Sequence, residues 1–150
     1  MIYFRNTMRN SGVNGKALKK AARVLLENLQ ESRSSLSLSL VGDRRIKRLN
    51  RLYRGKDSPT DVLSFPLIEP NVHAGGERLL GDVVISLETA RRQAEAYDAT
   101  LEQELQRLLI HGLLHVMGYD HEKKRERARM QAEERRLATA LGMRWPYEGG

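Results

Sequence analysis

At 150 residues, with 40% hydrophobic side chains, the chain is long enough to bury a core as one domain spanning 1–150. It has no cysteine, which excludes disulfides and leaves only nitrogen and oxygen ligands for any metal. The net charge of +7 favours polyanionic partners without singling one out.

Ile2 to Phe4 is a short β-prone run expected to form a first strand. Leu18, Ala21, Leu25 and Leu29 recur at helical spacing and predict an amphipathic helix. In "SLSLSLV", Leu36, Leu38 and Leu40 alternate with serines, the period of a strand with one buried face. "DRRIKRLNRLY" returns to helical spacing through Ile46, Leu49 and Tyr53. "GKDSPTD" breaks it, and "VLSF", ending at Pro66, reads as another strand. Glu69 to Glu77 reads as an exposed loop, with His73 a bystander.

"DVVIS" is the strongest strand signal. Ser86 then offers an N-cap to a helix whose buried stripe is Leu87, Ala90, Ala94 and Tyr97. Thr100 and Gln103 form a capping box for a helix striped by Leu101, Leu105, Leu108, Gly112 and Val116, and Gly118 stops it. A charged helix follows from about Glu122 to Leu141, with Met130, Leu137 and Leu141 inward. The fold class expected is α+β, a small mixed four-stranded sheet covered by about five helices. No apolar run is long enough to span a bilayer, and "MIYFRNTMRNSG" lacks the apolar stretch of an export signal, so a cytoplasmic protein and no membrane partner are expected.

"HGLLHVMGYDH" gathers three of the four histidines. On a helix, residues four apart have β-carbons within about 6 Å, so His111 and His115 can share one ion. At about 100° per residue both fall on one flank of the leucine stripe, where a cleft reaches them. A reversal at Gly118 brings His121 back toward the pair. Two ligands from a helix and one from the next turn leave a tetrahedral ion one open position, as in catalytic zinc. Nickel or another divalent ion also suits three imidazoles.

The spacing equals the metzincin signature His-Glu-x-x-His-x-x-Gly-x-x-His, with Gly112 in place of the glutamate that activates water. Gly112 faces the leucine stripe, where its missing side chain would let another element approach closely. Peptide hydrolysis loses its usual base. Asp120 is either a substitute base or turn chemistry before His121.

Together with "YRGKDSPTDVLSFP" (Tyr53 to Pro66) and "LLGDVVIS" (Leu79 to Ser86), the histidine block resembles the YbeY family, metal-dependent endoribonucleases of ribosomal RNA maturation. The resemblance begins near residue 40. It implies a zinc-dependent single-strand endoribonuclease acting on the 3′ end of small-subunit (16S) precursor RNA, with the small ribosomal subunit as partner. It implies zinc on His111, His115 and His121, and it maps the family's catalytic-site arginine to Arg54, in the turn after the basic helix. Arg54 and His111 are therefore the expected catalytic residues. The attacking oxygen, from water or from the RNA's 2′-hydroxyl, stays open.

Arg44, Arg45, Lys47, Arg48, Arg51 and Lys56 form a cationic run with no acid between Asp43 and Asp57. It is either a solvated face or a track for RNA phosphates. Ser64 is either a cleft residue or an ordinary strand serine. Asp82 either orients a ligand histidine or caps a turn. The last helix reads as a soluble surface whose basic first turn is a secondary RNA contact. With few aromatic residues, recognition leans on backbone charge. Two other functions remain: a metzincin-like metallohydrolase on a non-RNA substrate, and a non-catalytic ribosome-assembly factor bearing structural zinc.

Overall fold

The structure, a computed structural model, describes residues 1–72, 77–143 and 145, and the side chains of these except 68–72. His73 lies outside the described residues. The elements run β1 (Ile2–Asn6), α1 (Gly15–Asn28), β2 (Ser34–Val41), α2 (Asp43–Arg54), β3 (Val62–Val72), β4 (Arg78–Ser86), α3 (Leu87–Ala96), α4 (Leu101–Val116) and α5 (Lys124–Ala140). The strands make one mixed sheet in the order β1-β2-β4-β3, with β1, β2 and β4 parallel and β3 antiparallel to β4. This is the expected α+β arrangement.

Strand side chains alternate between faces, and the two faces bury different clusters. Leu36, Leu38 and Leu40 of β2 join Val83 and Ile85 of β4 under α1, α3, α4 and α5. Val41, Leu63 and Val84 meet Ile46 of α2 on the other face. On the face opposite the β2 leucines Ser35 is buried and Ser37 and Ser39 are half-buried, so the serine face of β2, a strand inside the sheet, is less open than the alternation predicts. Gly81 answers to close approach: a Cβ there would sit 2.4 Å from the Phe65 carbonyl across the β3–β4 ladder.

Four local expectations are corrected. The chain remains in β3 to Val72, whose register partners Asn71↔Leu79 and Val72↔Arg78 extend the hairpin into the stretch expected to be loop. Tyr97 caps the end of α3 and is exposed, not part of the buried stripe. Tyr53 is exposed too; Asn50 takes the inward position and donates to the Ser58 carbonyl at 2.9 Å. Arg54 is the last residue of α2, not in the turn beyond it, because Gly55 at φ +70° makes the reversal. Among the described residues no helix is long and apolar enough to cross a membrane.

Candidate metal centre

The helix that carries His111 and His115 is capped at its start and buried along most of its length. Thr100 Oγ1 accepts from Gln103 N–H at 3.1 Å while the Gln103 side chain accepts from Thr100 N–H at 2.9 Å, satisfying two donors at the start of α4. Leu105, Leu108, Leu109, Ile110, Leu113, Leu114 and Val116 are buried around most of its circumference. His111 and His115 are left half-buried on the remaining flank.

At the far end, Gly118 N–H donates to the His115 carbonyl at 3.0 Å and Tyr119 N–H to the Leu114 carbonyl at 2.9 Å. This paired reversal needs a left-handed residue, and Gly118 has φ +98°. Asp120 Oδ1 accepts from the N–H groups of His121 at 2.7 Å and Glu122 at 3.3 Å, so its carboxylate shapes the turn. His121 is thereby carried back. Its ring centroid lies 5.1 Å from that of His115 and 5.9 Å from that of His111. One nitrogen from each of the three rings lies within 4.8 Å of the other two.

Hydrogen bonding settles which nitrogens face inward. His115 Nδ1 lies 3.0 Å from the Tyr119 carbonyl and His111 Nδ1 lies 3.1 Å from Glu134 Oε2. A carbonyl and a carboxylate only accept, so both Nδ1 atoms carry hydrogen. Where both rings are neutral, both Nε2 atoms then present lone pairs, and they stand 3.1 Å apart. Two facing lone pairs repel unless a proton or a metal ion lies between them. Burial, then the neighbouring His111 and His121, hold the His115 pKa below its ordinary 6.5, against the Tyr119 carbonyl and Asp120. A neutral imidazole is the ligand form. The three residues therefore fit a divalent metal with nitrogen ligands.

Gly112 sits between the two helix histidines and faces the sheet. A Cβ there would lie 2.8 Å from Val83 Cγ1 and 3.2 Å from both Ser64 Oγ and Val62 Cγ2. The space that a side chain at position 112 would need is filled by β3 and β4. Ser64 uses the proximity to donate its hydroxyl to the Gly112 carbonyl at 2.9 Å. From the opposite face of the sheet, Arg54 donates to the Ser64 carbonyl at 2.6 Å and lays its guanidinium over Phe65, 5.6 Å from the ring centroid. A single edge-strand residue thus fastens both Arg54 and the backbone between His111 and His115. Ser64 is a link.

Of the other expected site residues, Arg44, Arg45, Lys47, Arg48, Arg51 and Lys56 are all exposed on α2 and its exit. Asp82 lies in β4 opposite Phe65 and Ser37, while the helix histidines are oriented by Glu134 and Tyr119 instead. Glu134 is the residue that pattern reading passed over. It lies one turn beyond buried Met130 and one turn before buried Leu137 and Ala138, so a carboxylate interrupts an inward stripe. That was the available signal. Glu133 beside it accepts from the Tyr119 hydroxyl at 3.3 Å and pairs with Arg136. An open cavity lined by Met117, Gly118, Tyr119, Asp120, Glu126 and Arg129 adjoins the turn before His121.

A family model described as Endoribonuclease YbeY matches residues 3–142. The chain belongs to the YbeY family. Endoribonuclease YbeY of Myxococcus xanthus is 55% identical over 122 residues, covering 81% of this chain and 42% of that protein. The YbeY protein of Anaeromyxobacter sp. is 50% identical over 85% of this chain and 65% of its own length. That of Halalkalibacterium halodurans is 44% identical over 84% and 82% respectively. The chain thus spans less than two thirds of the first two YbeY relatives and most of the third. The solution structure of TM1509 from Thermotoga maritima superposes with a TM-score of 0.64 at 29% identity, covering 94% of this chain and 89% of that one.

Proposed function

We propose that this YbeY-family chain is a metal-dependent endoribonuclease that cleaves single-stranded RNA, with zinc held by His111, His115 and His121. The observation that carries the reading is the pair of Nε2 atoms 3.1 Å apart, each with its Nδ1 tied to an acceptor. An ion held by His111, His115 and His121 would supply Lewis-acid polarisation of a phosphoryl group and a bound water with its pKa lowered to about 7, so the missing glutamate would not be needed.

The chain's own residues do the rest. Arg54 uses one of its five N–H donors on the Ser64 carbonyl, and the guanidinium fork that remains binds the scissile phosphate and the charge that grows on it. Arg44, Arg45, Lys47, Arg48, Arg51 and Lys56 track the RNA backbone. His111 and Arg54 are the catalytic residues of this reading. The substrate is ribosomal RNA precursor at the 3′ end of 16S RNA, and the partner is the small ribosomal subunit in the cytoplasm. The names of the YbeY relatives support the RNA-cleaving activity; Gly112 and the strands packed on it count against peptide hydrolysis.

Metal analysis run beside cleavage of single-stranded RNA tests this. Wild type should hold about one equivalent of metal and cleave. His115→Ala should lose both with the fold retained. Arg54→Ala should keep the metal and lose cleavage by at least about a hundredfold, the scale of a lost transition-state donor. Loss of metal in Arg54→Ala would make Arg54 structural, and cleavage surviving in His115→Ala would end the metal reading. A 2′,3′-cyclic phosphate on the product would assign attack to the RNA's own hydroxyl.

A further inference from the structure

The last turn of α2 carries two large side chains that neither core cluster uses: Leu52 is 65% exposed and Tyr53 64%. Tyr53 meets Phe65 edge-to-face, with ring centroids 5.3 Å apart and planes 68° apart. The same Phe65 ring receives the Arg54 guanidinium. An edge contact covers one side of the Tyr53 ring at most, so with the residue this exposed a π-face is left to solvent. It stands one residue from the arginine assigned to the phosphate.

Resting on the endoribonuclease reading, we propose that Tyr53 stacks on an unpaired base of the substrate, on the nucleotide adjoining the phosphate bound by Arg54. Charge argues for this occupant. Arg51, Arg54 and Lys56 flank Tyr53 in the chain and are exposed like it, and no acidic side chain occurs from Arg44 through Lys56. A nucleotide brings an anion and a π-face together, and any base can fill the place because every base has such a face. A base in a duplex has both faces covered by its neighbours. Stacking at Tyr53 therefore selects single strands before any sequence is read, and it does so with one ring.

The test uses metal-loaded protein, a 2′-O-methyl single strand for affinity and unmodified RNA for cleavage. Tyr53→Ala should weaken binding about tenfold, as loss of one base stack does, and Tyr53→Phe should restore it. The slope of log Kd against log salt should be unchanged in Tyr53→Ala. Arg51→Ala should lower it by about 0.7, the value of one phosphate contact on a single strand. Oligonucleotides with one abasic position, moved along the strand, should show a position where wild type loses affinity and Tyr53→Ala does not. If Tyr53→Ala binds and cleaves the naked strand like wild type, the ring serves another contact, a protein surface included, and the proposal falls. If wild type itself neither binds RNA in a salt-dependent way nor cleaves it, the endoribonuclease reading fails first.

Discussion

An imidazole offers a cation only the nitrogen that its other hydrogen bond leaves bare, so the two Nδ1 partners matter as much as the histidines. One partner is a backbone carbonyl and cannot be mutated; the other is Glu134. Glu134→Ala should weaken metal affinity about 10- to 100-fold, and Glu134→Gln, which keeps an acceptor, should lose much less. Competition with a metal chelator measures both, and equal losses would show that charge rather than orientation is what Glu134 supplies. Gly112 is decided by space. Alanine is the better helix former by about 1 kcal/mol, but its methyl would press on Val83, Val62 and Ser64 in a packed layer. Overpacking costs about 1–3 kcal/mol, so Gly112→Ala should lower the urea midpoint. A midpoint that rises would mean that the sheet yields freely.

At the scale of elements, α2 is positioned by its first residue. Asp43 Oδ1 accepts from the hydroxyls of Ser86 and Thr89, both at 2.6 Å, and Oδ2 accepts from Arg92 at 2.8 Å. The Asp43 N–H donates to Glu88 at 2.8 Å, so the starts of α2 and α3 are clasped together. Burial acts to raise the Asp43 pKa, but the hydrogen bonds from Ser86, Thr89 and Arg92, with the charge of Arg92, bring it below the usual 3.8. The unfolded chain then binds the proton more tightly than the folded one. The stabilisation is complete above 3.8 and is lost as pH falls below it. Asp43→Asn should therefore cost about 1 kcal/mol in urea melts near neutral pH, with the gap from wild type closing in acid. A gap independent of pH would put the effect in packing instead.

At the scale of the molecule, β3 is one edge of the sheet and the strand that elements on both of its faces reach. α2 reaches Ser64 from one side through Arg54, and α4 reaches it from the other through Gly112. α5 closes the site from beyond the sheet by bringing Glu134 to His111. Metal binding should accordingly tighten contacts among distant parts of the chain. Metal at a hundredfold excess over its Kd adds about 2.7 kcal/mol to the folded state. For a chain of this size that is about 5–10 °C in Tm, which thermal melts with and without chelator would show. An unchanged Tm alongside lost cleavage would mean that the metal acts on substrate alone.

Local rules made much of this legible. The Thr100–Gln103 box, the stop at Gly118 and the spacing of His111 and His115 depend on neighbours within one or two turns, and the amino-acid order determines such relations. So does the bareness of Gly112, whose position on the helix stripe implied a close neighbour. The partners of these groups were decided only by tertiary packing. That Tyr53 and Tyr97 stay exposed, that a glutamate from the charged last helix orients His111, and that Ser64 joins Arg54 to the helix of His111 and His115 all require knowing which elements lie face to face. Periodicity says which side of a helix is apolar. Only the assembled sheet and helices determine what that side, and its polar edge, will touch.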